Sequence, residues 1–366
     1  MYQNIFNTEF NISFFKPKKD LCIYCEAFKN LNQSDADKIE VEEKYNKHQE
    51  EKRLSRQEKE NDTCDKNTII SCFDLQAVLI TPRGEVSQFY YKRRLASYNF
   101  TVYNVKDKEG TCYFWHEGMG NRGSCEIGSC LYQFIKKQEN KEKKIIFYCD
   151  NCGGQNKNKY VVSILMYCVM TLNIPSIAIK FLTVGHTQNE GDSMHARIES
   201  EAQRILKGGP IYEPSQWVSI IKCAKKNGKP YIVNEVQKDE FYDLKKLSTD
   251  LGNNYNINED GDKVLWNSIK VFEIEKDNPT ILKYKTSYSE IAFKKINVRQ
   301  KKRKSIDFNI PELRNLSISG TISDAKKKDL LSLCHSNAIP KSHWAFYENL
   351  KSSSTIKDNN ENDISD

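Results

Sequence analysis

The chain has 366 residues, 38% of them hydrophobic and 11% aromatic, which suffices for a buried core and for two or three domains. No apolar run approaches the roughly 20 residues of a membrane helix, and Met1-Tyr2-Gln3-Asn4 lacks the basic-then-apolar pattern of a secretory signal, so no membrane partner is expected and the expected location is nucleus or cytoplasm. The formal net charge of +7 tilts only slightly toward an acidic partner such as DNA, and an oligomer is compatible with all of this.

In chain order, Cys22-Ile23-Tyr24-Cys25 precedes a charged stretch bearing His48. Cysteine and histidine supply soft tetrahedral ligands, so Cys22, Cys25, His48 and Cys64 form a candidate zinc knuckle, with free thiols as the alternative because a lone C-x-x-C is half a site. Of the twelve cysteines, Cys72, Cys149, Cys168 and Cys223 sit inside apolar runs and read as reduced thiols. From Ser34 to Asp62, Glu and Lys interleave at helical spacing with too few apolar residues for a core face, which predicts a solvated, salt-bridged helix.

Ile69 to Ile80 is β-prone and bounded by Pro82 and Gly84, and predicts the first core strand. Residues 98–105 and 111–115 flank a loop ending in Gly110 and predict a hairpin. A helix starts near Ser124, with Ile127, Cys130, Leu131, Phe134 and Ile135 at three-and-four spacing. Strand 143–149, helix 157–172, strand 176–183 and helix 189–206 follow. Further helices are expected at 214–224 and 239–247, a polar linker at 253–262, and a disordered Ser/Asn/Asp-rich tail.

This order predicts an α/β chain with a ribonuclease H-like mixed sheet, in which a three-strand meander continues into parallel strands with crossover helices. The expected divisions are 1–65 (helical zinc segment), 66–250 (core), 251–350 (smaller α+β basic region) and 351–366 (tail).

Acids stand at the ends of these elements. Asp74 is the sole acid of its strand, Asp150 closes Ile145 to Cys149 ahead of Asn151-Cys152-Gly153-Gly154, and Asp192 opens the helix after the next strand. Phosphodiester chemistry uses hard divalent ions held by converging carboxylates, so these three are the candidate Mg²⁺ or Mn²⁺ ligands. Glu126, in the first turn of its helix, is a fourth candidate, and Glu199 competes with Asp192 because Asp192, His195 and Glu199 share a helix face. Each has a plainer reading as a turn former, a first-turn acid or a surface group. His186 and His195 could position water or phosphate, or be ordinary half-buried histidines. The donors of Gly153 to Lys159 suit phosphate contacts without the spacing of a P-loop. Lys301, Lys302, Arg303 and Lys304 concentrate positive charge and are candidates for DNA phosphates, an import signal or a solvated loop.

DNCGGQNK at 150–157 and GHTQNEGDSMHARIE at 185–199 resemble a group of transposon-derived animal proteins with a ribonuclease H-like core, and FDLQAVLITP at 73–82, RGSCEIGSCL at 122–131 and the segment 326–350 add to the resemblance. The resemblance implies a DDE transposase-type fold and ancestry, and an N-terminal extension with a DNA-binding module missing from this chain. The expected function is metal-dependent DNA cleavage or strand transfer; the competing expectation is a domesticated, inactive DNA-binding or protein-interaction module.

Overall fold

The computed structural model describes residues 21–32, 38–187, 189–299, 309–318 and 320–356. The Lys301 to Lys304 run and the tail from 357 onward lie outside the described residues.

A ten-stranded mixed sheet organises the chain: β1 (Thr68–Leu75), β2 (Leu79–Thr81), β3 (Leu95–Asn104), β4 (Glu109–His116), β5 (Lys144–Cys149), β6 (Ser176–Phe181), β7 (Ile232–Glu235), β8 (Val271–Glu275), β9 (Ile281–Lys285) and β10 (Lys294–Asn297). The spatial order is β10-β9-β8-β6-β5-β1-β3-β4-β7, with β2 paired to β3. The run predicted as one strand from Ile69 to Ile80 is thus two, β1 and β2, and both pair with β3. β1, β5 and β6 are parallel, whereas β3 runs antiparallel to β1 and to β4. β8 to β10 join antiparallel beside β6, so the sheet spans the 250/251 boundary expected from sequence.

The helices are α1 (Ile23–Lys29), α2 (Lys38–Cys64), α3 (Ser87–Tyr90), α4 (Ser124–Lys136), α5 (Lys159–Thr171), α6 (Glu190–Leu206), α7 (Pro214–Cys223), α8 (Leu244–Leu251), α9 (Asp324–His335) and α10 (Trp344–Asn349). A small parallel pair, β11 (Thr321–Ser323) and β12 (Lys351–Ser353), flanks α9 and α10.

Strand alternation decides what each face meets. On β1, Ile69, Phe73 and Leu75 enter the main core with α4, α5 and α8, while Ile70 and Cys72 face the other side with Ile146 and Tyr148 of β5. α4 buries Ile127, Leu131, Phe134 and Ile135 in that core, each contributing about 1.5–3 kcal/mol. Its Gly128 lets α8 approach closely, since a Cβ there would lie 2.3 Å from Leu244 Cδ1. α6 and α7 cover the opposite face through Met194, Ile198, Trp217 and Ile221.

α2 departs from the sequence expectation. It is laced with i,i+3 and i,i+4 ion pairs such as Arg53–Glu50 at 2.7 Å, as predicted, yet one side docks on the sheet through charges rather than apolar groups. Buried Lys180 of β6 donates to Glu58 and Asp62 at 2.6 Å each, Tyr148 donates to Asp62 at 2.6 Å, and Lys59 pairs with Glu190 at 2.7 Å. A helix without an apolar stripe is therefore anchored because the sheet offers it complementary polar partners.

Candidate acidic site and metal centre

Asp74 and Asp150 come from neighbouring parallel strands. The β1–β5 register pairs Cys72 with Tyr148, and its continuation sets Asp74 beside Asp150 just past the strand end. Alternation turns Asp74 to the face of Ile70 and Cys72, toward α6. There the first turn of α6 presses on it: a Cβ on Gly191 would meet the Asp74 Cβ at 3.1 Å. Asp192 follows directly, and its carboxylate accepts from the Asn189 N–H at 2.7 Å in a capping box that fixes the helix start.

The charges of these neighbouring acids reach one another. Burial, then the charges of Asp150 and Asp192, push the Asp74 carboxyl up from 3.8 to about 7, against the Leu75 N–H it accepts from at 2.8 Å and the Arg122 charge. The three carboxylates are near enough to raise one another's energy, yet among the described residues the one group of three or more such side chains with ligand atoms within 4.8 Å of one another is Cys22, Cys25, His48 and His186, so the acids stand as neighbours and not as a closed cluster. His195 borders the site: its Nε2 lies 2.9 Å from Thr101 Oγ1, while its Nδ1 is 3.7 Å from Asp74 Oδ2, too far for a hydrogen bond. The Thr101 hydroxyl donates to the Asp74 carbonyl, so it accepts from Nε2–H and leaves Nδ1 without a proton. Burial lowers His195 to about 4, in keeping with a neutral ring.

The other expected acids are held elsewhere. Glu126 is buried and accepts from the Asn121 N–H at 2.9 Å, bracing the loop before α4. Glu199 forms a two-pronged ion pair with Arg83 and accepts from Gln203 at 2.7 Å, so it does not compete with Asp192. Lys157, read from sequence as a phosphate donor, points inward: it lies 4.2 Å from the centre of the Phe181 ring and donates to the Ile269 carbonyl at 2.5 Å. Burial, reinforced by the charge of Lys270, lowers it to about 8. Asn156 donates to Asp150 at 2.5 Å, so the Gly-rich turn orients the acid. Sequence reasoning passed over Arg122, whose Nε is buried without a hydrogen-bond partner and whose charge reaches Asp74; the RGSC motif opening α4 was its only signal.

The second centre lies at the neighbouring loop. Cys22, Cys25, His48 and His186 bring one ligand atom each to within 4.8 Å of one another, a cluster that could hold a metal ion such as zinc. Cys22 Sγ is 3.1 Å from His48 Nε2 and Cys25 Sγ is 3.3 Å from His186 Nε2. Zinc bonds of about 2.1 Å to nitrogen and 2.3 Å to sulfur imply tetrahedral edges of roughly 3.3–3.8 Å, so modest movements close the site. Burial, with the Lys52 charge, lowers both histidines and favours the neutral rings a metal needs. Cys64 is corrected out of the expected set: it is exposed at the far end of α2, 16 residues and about 24 Å along the helix from His48. His186 takes its place, delivered by the β6–α6 loop that also leads to Asp192.

The profile of a family described as a domain of unknown function (DUF7869) matches residues 102–288, just over half of the chain, and the chain belongs to that family. The match includes Asp150, His186 and Asp192 and stops short of Asp74 and the N-terminal metal ligands. No curated protein matches the chain, and no solved structure does.

Proposed function

We propose that this chain is a ribonuclease H-like phosphoryl-transfer protein of transposase descent, acting on DNA in the nucleus or cytoplasm, in which Asp74, Asp150 and Asp192 hold Mg²⁺ or Mn²⁺. The observation that carries the reading is the placement of the three acids, Asp74 and Asp150 at the ends of adjacent parallel strands and Asp192 in the helix turn packed on Asp74. The strand order supports it: β4-β3-β1-β5-β6 is an antiparallel meander continued by two parallel strands, with α5 and α6 following β5 and β6.

A divalent cation bound there would activate a water or a DNA 3′-hydroxyl and stabilise the leaving oxygen. The chain's own groups divide the remaining work. Asp74 and Asp150 present carboxylates from rigid strand ends, and the capping box holds Asp192 beside them. Neutral His195 flanks Asp74 without adding charge, and Arg122 supplies the positive charge that offsets an incoming phosphate. Zinc is the ion proposed for Cys22, Cys25, His48 and His186; four protein ligands leave no open position, so its role is structural.

Nicking of supercoiled plasmid in Mn²⁺ tests the reading, wild type against Asp150→Ala. Cleavage by the wild type alone supports it. Mn²⁺ binding without cleavage leaves the inactive descendant, and neither binding nor cleavage refutes the acidic site.

A further inference from the structure

Beyond Asp192, α6 turns a flank toward the segment that follows α7, and the two enclose an open groove of about 610 Å³. Arg197, Arg204, Lys207, Lys225 and Lys226 line it with a single carboxylate, Glu201. Arg204 pairs with Glu201 at 2.5 Å, and this is the one ion pair within the lining among the described residues. Five cations against one acid give the lining a net charge of +4, although Lys225 also donates to the Lys108 carbonyl at 3.1 Å and has Glu109 nearby.

We propose that this groove binds the phosphodiester backbone of a nucleic acid and carries the strand away from the acidic site. The proposal rests on the phosphoryl-transfer reading and adds where the substrate runs. The lining favours phosphates over an acidic peptide: Ala224 is its lone apolar side chain, so nothing there would seat a peptide's side chains, whereas Gln203, Asn227 and Ser200 add neutral donors between the charges. Position favours it too. At 1.5 Å per residue, Arg197 to Lys207 lie roughly 8 to 22 Å from Asp192 along α6, which corresponds to about two to six steps of a strand at 3.4 Å each. The cations also crowd one another, for burial and then the charges of Arg197 and Lys229 lower Lys225 below its ordinary value.

Fluorescence anisotropy with a labelled 20-nucleotide single strand, the corresponding duplex and a labelled poly-glutamate peptide tests this across several salt concentrations. The probe proteins are wild type, Lys207→Gln/Lys225→Gln/Lys226→Gln, and a control with the exposed lysines changed as Lys66→Gln/Lys263→Gln/Lys328→Gln. Each phosphate contact contributes about 0.9 to the logarithmic salt slope for duplex, near eightfold in affinity at 0.1 M salt, so loss of three contacts should weaken duplex binding by about 500-fold and flatten the slope by about 2.7. The single strand should weaken in the same direction, and the control should match wild type. If wild type binds nucleic acid and the groove variant behaves like the control, the groove assignment fails while the reading of the acids stands. If poly-glutamate binds as tightly and responds to the same changes, the groove is a general anion site and the nucleic-acid assignment fails. Mn²⁺ titration of the groove variant keeps the two readings apart, because the acids should bind the ion unchanged.

Discussion

Asp74→Asn should stabilise the metal-free protein, and by an amount that depends on pH. The folded chain holds this carboxyl at about 7 against an ordinary value of 3.8, so between those values the folded state keeps a proton that the unfolded state releases. Stability then falls as pH rises through this window, and the whole penalty is present above 7. At about 1.4 kcal/mol per pH unit the difference amounts to about 4 kcal/mol at pH 8 and about 2 kcal/mol at pH 5. Both are ceilings, because 22% of the side chain still meets water. Asparagine keeps the shape and drops the charge, so in EDTA the variant should gain about 2 kcal/mol more at pH 8 than at pH 5. Urea denaturation at the two pH values measures this directly. In Mn²⁺ at pH 8 the order should reverse, because the ion stabilises wild type by mass action and finds one ligand fewer in the variant. A variant that is destabilised equally at both pH values, or a wild type indifferent to Mn²⁺, would refute the crowded-carboxylate argument.

Three further outcomes follow from the geometry. Purified His186→Ala should lose stoichiometric zinc while Cys64→Ala keeps it, as measured by atomic absorption after chelator-free purification, since only His186 stands with Cys22, Cys25 and His48. Gly185→Ala should cost about 1–3 kcal/mol in thermal denaturation and weaken metal retention, because Gly185 has φ of +75° and its Cβ would lie 2.5 Å from Cys22 Cβ. Arg122→Ala should remove a positive charge whose field reaches Asp74 and would repel a cation held there, and so at pH 8, where Asp74 is largely ionised, tighten Mn²⁺ binding by a few-fold while weakening that of DNA, read by calorimetry and anisotropy; loss of both would mark Arg122 as a folding residue instead.

Much of the framework was legible because strands and buried helices announce themselves by period. Ile145 to Cys149 is a continuous apolar run and Ile177 to Phe181 is one broken only by Lys180, which suits parallel strands covered on both faces, and the Ile127 to Ile135 spacing marks α4. Asp74 and Asp150 stood out for the same reason, as acids interrupting or closing such runs. What escaped were features set by side chains far apart in sequence. α2 lacks an apolar stripe, so no local pattern could reveal that Glu58 and Asp62 meet a buried lysine more than 100 positions away. His186 could not be separated from an ordinary loop histidine until the chain had brought Cys25 to it. The helix expected at 239–247 begins at Leu244 instead, because Asp243 caps it by accepting from the Lys246 N–H while Gln237 and Glu240 hold a separate single turn.

These long-range contacts gather on one short stretch. The loop from β6 to α6 meets α1 and α2 at the Cys/His centre through His186, and four residues later Glu190 meets α2 again through Lys59 and accepts from the Cys72 thiol of β1 at 2.8 Å. Cys72 lies two positions before Asp74, and Glu190 two before Asp192. The same side chains that hold α2 on the sheet therefore stand directly behind two of the three acids. A loop spanning exposed turns has little burial to define it, and crowded carboxylates push their backbones apart. Holding Asp192 against Asp74 thus calls for anchors outside the acidic site, and the N-terminal helices supply them from a part of the chain that contributes no acid to it.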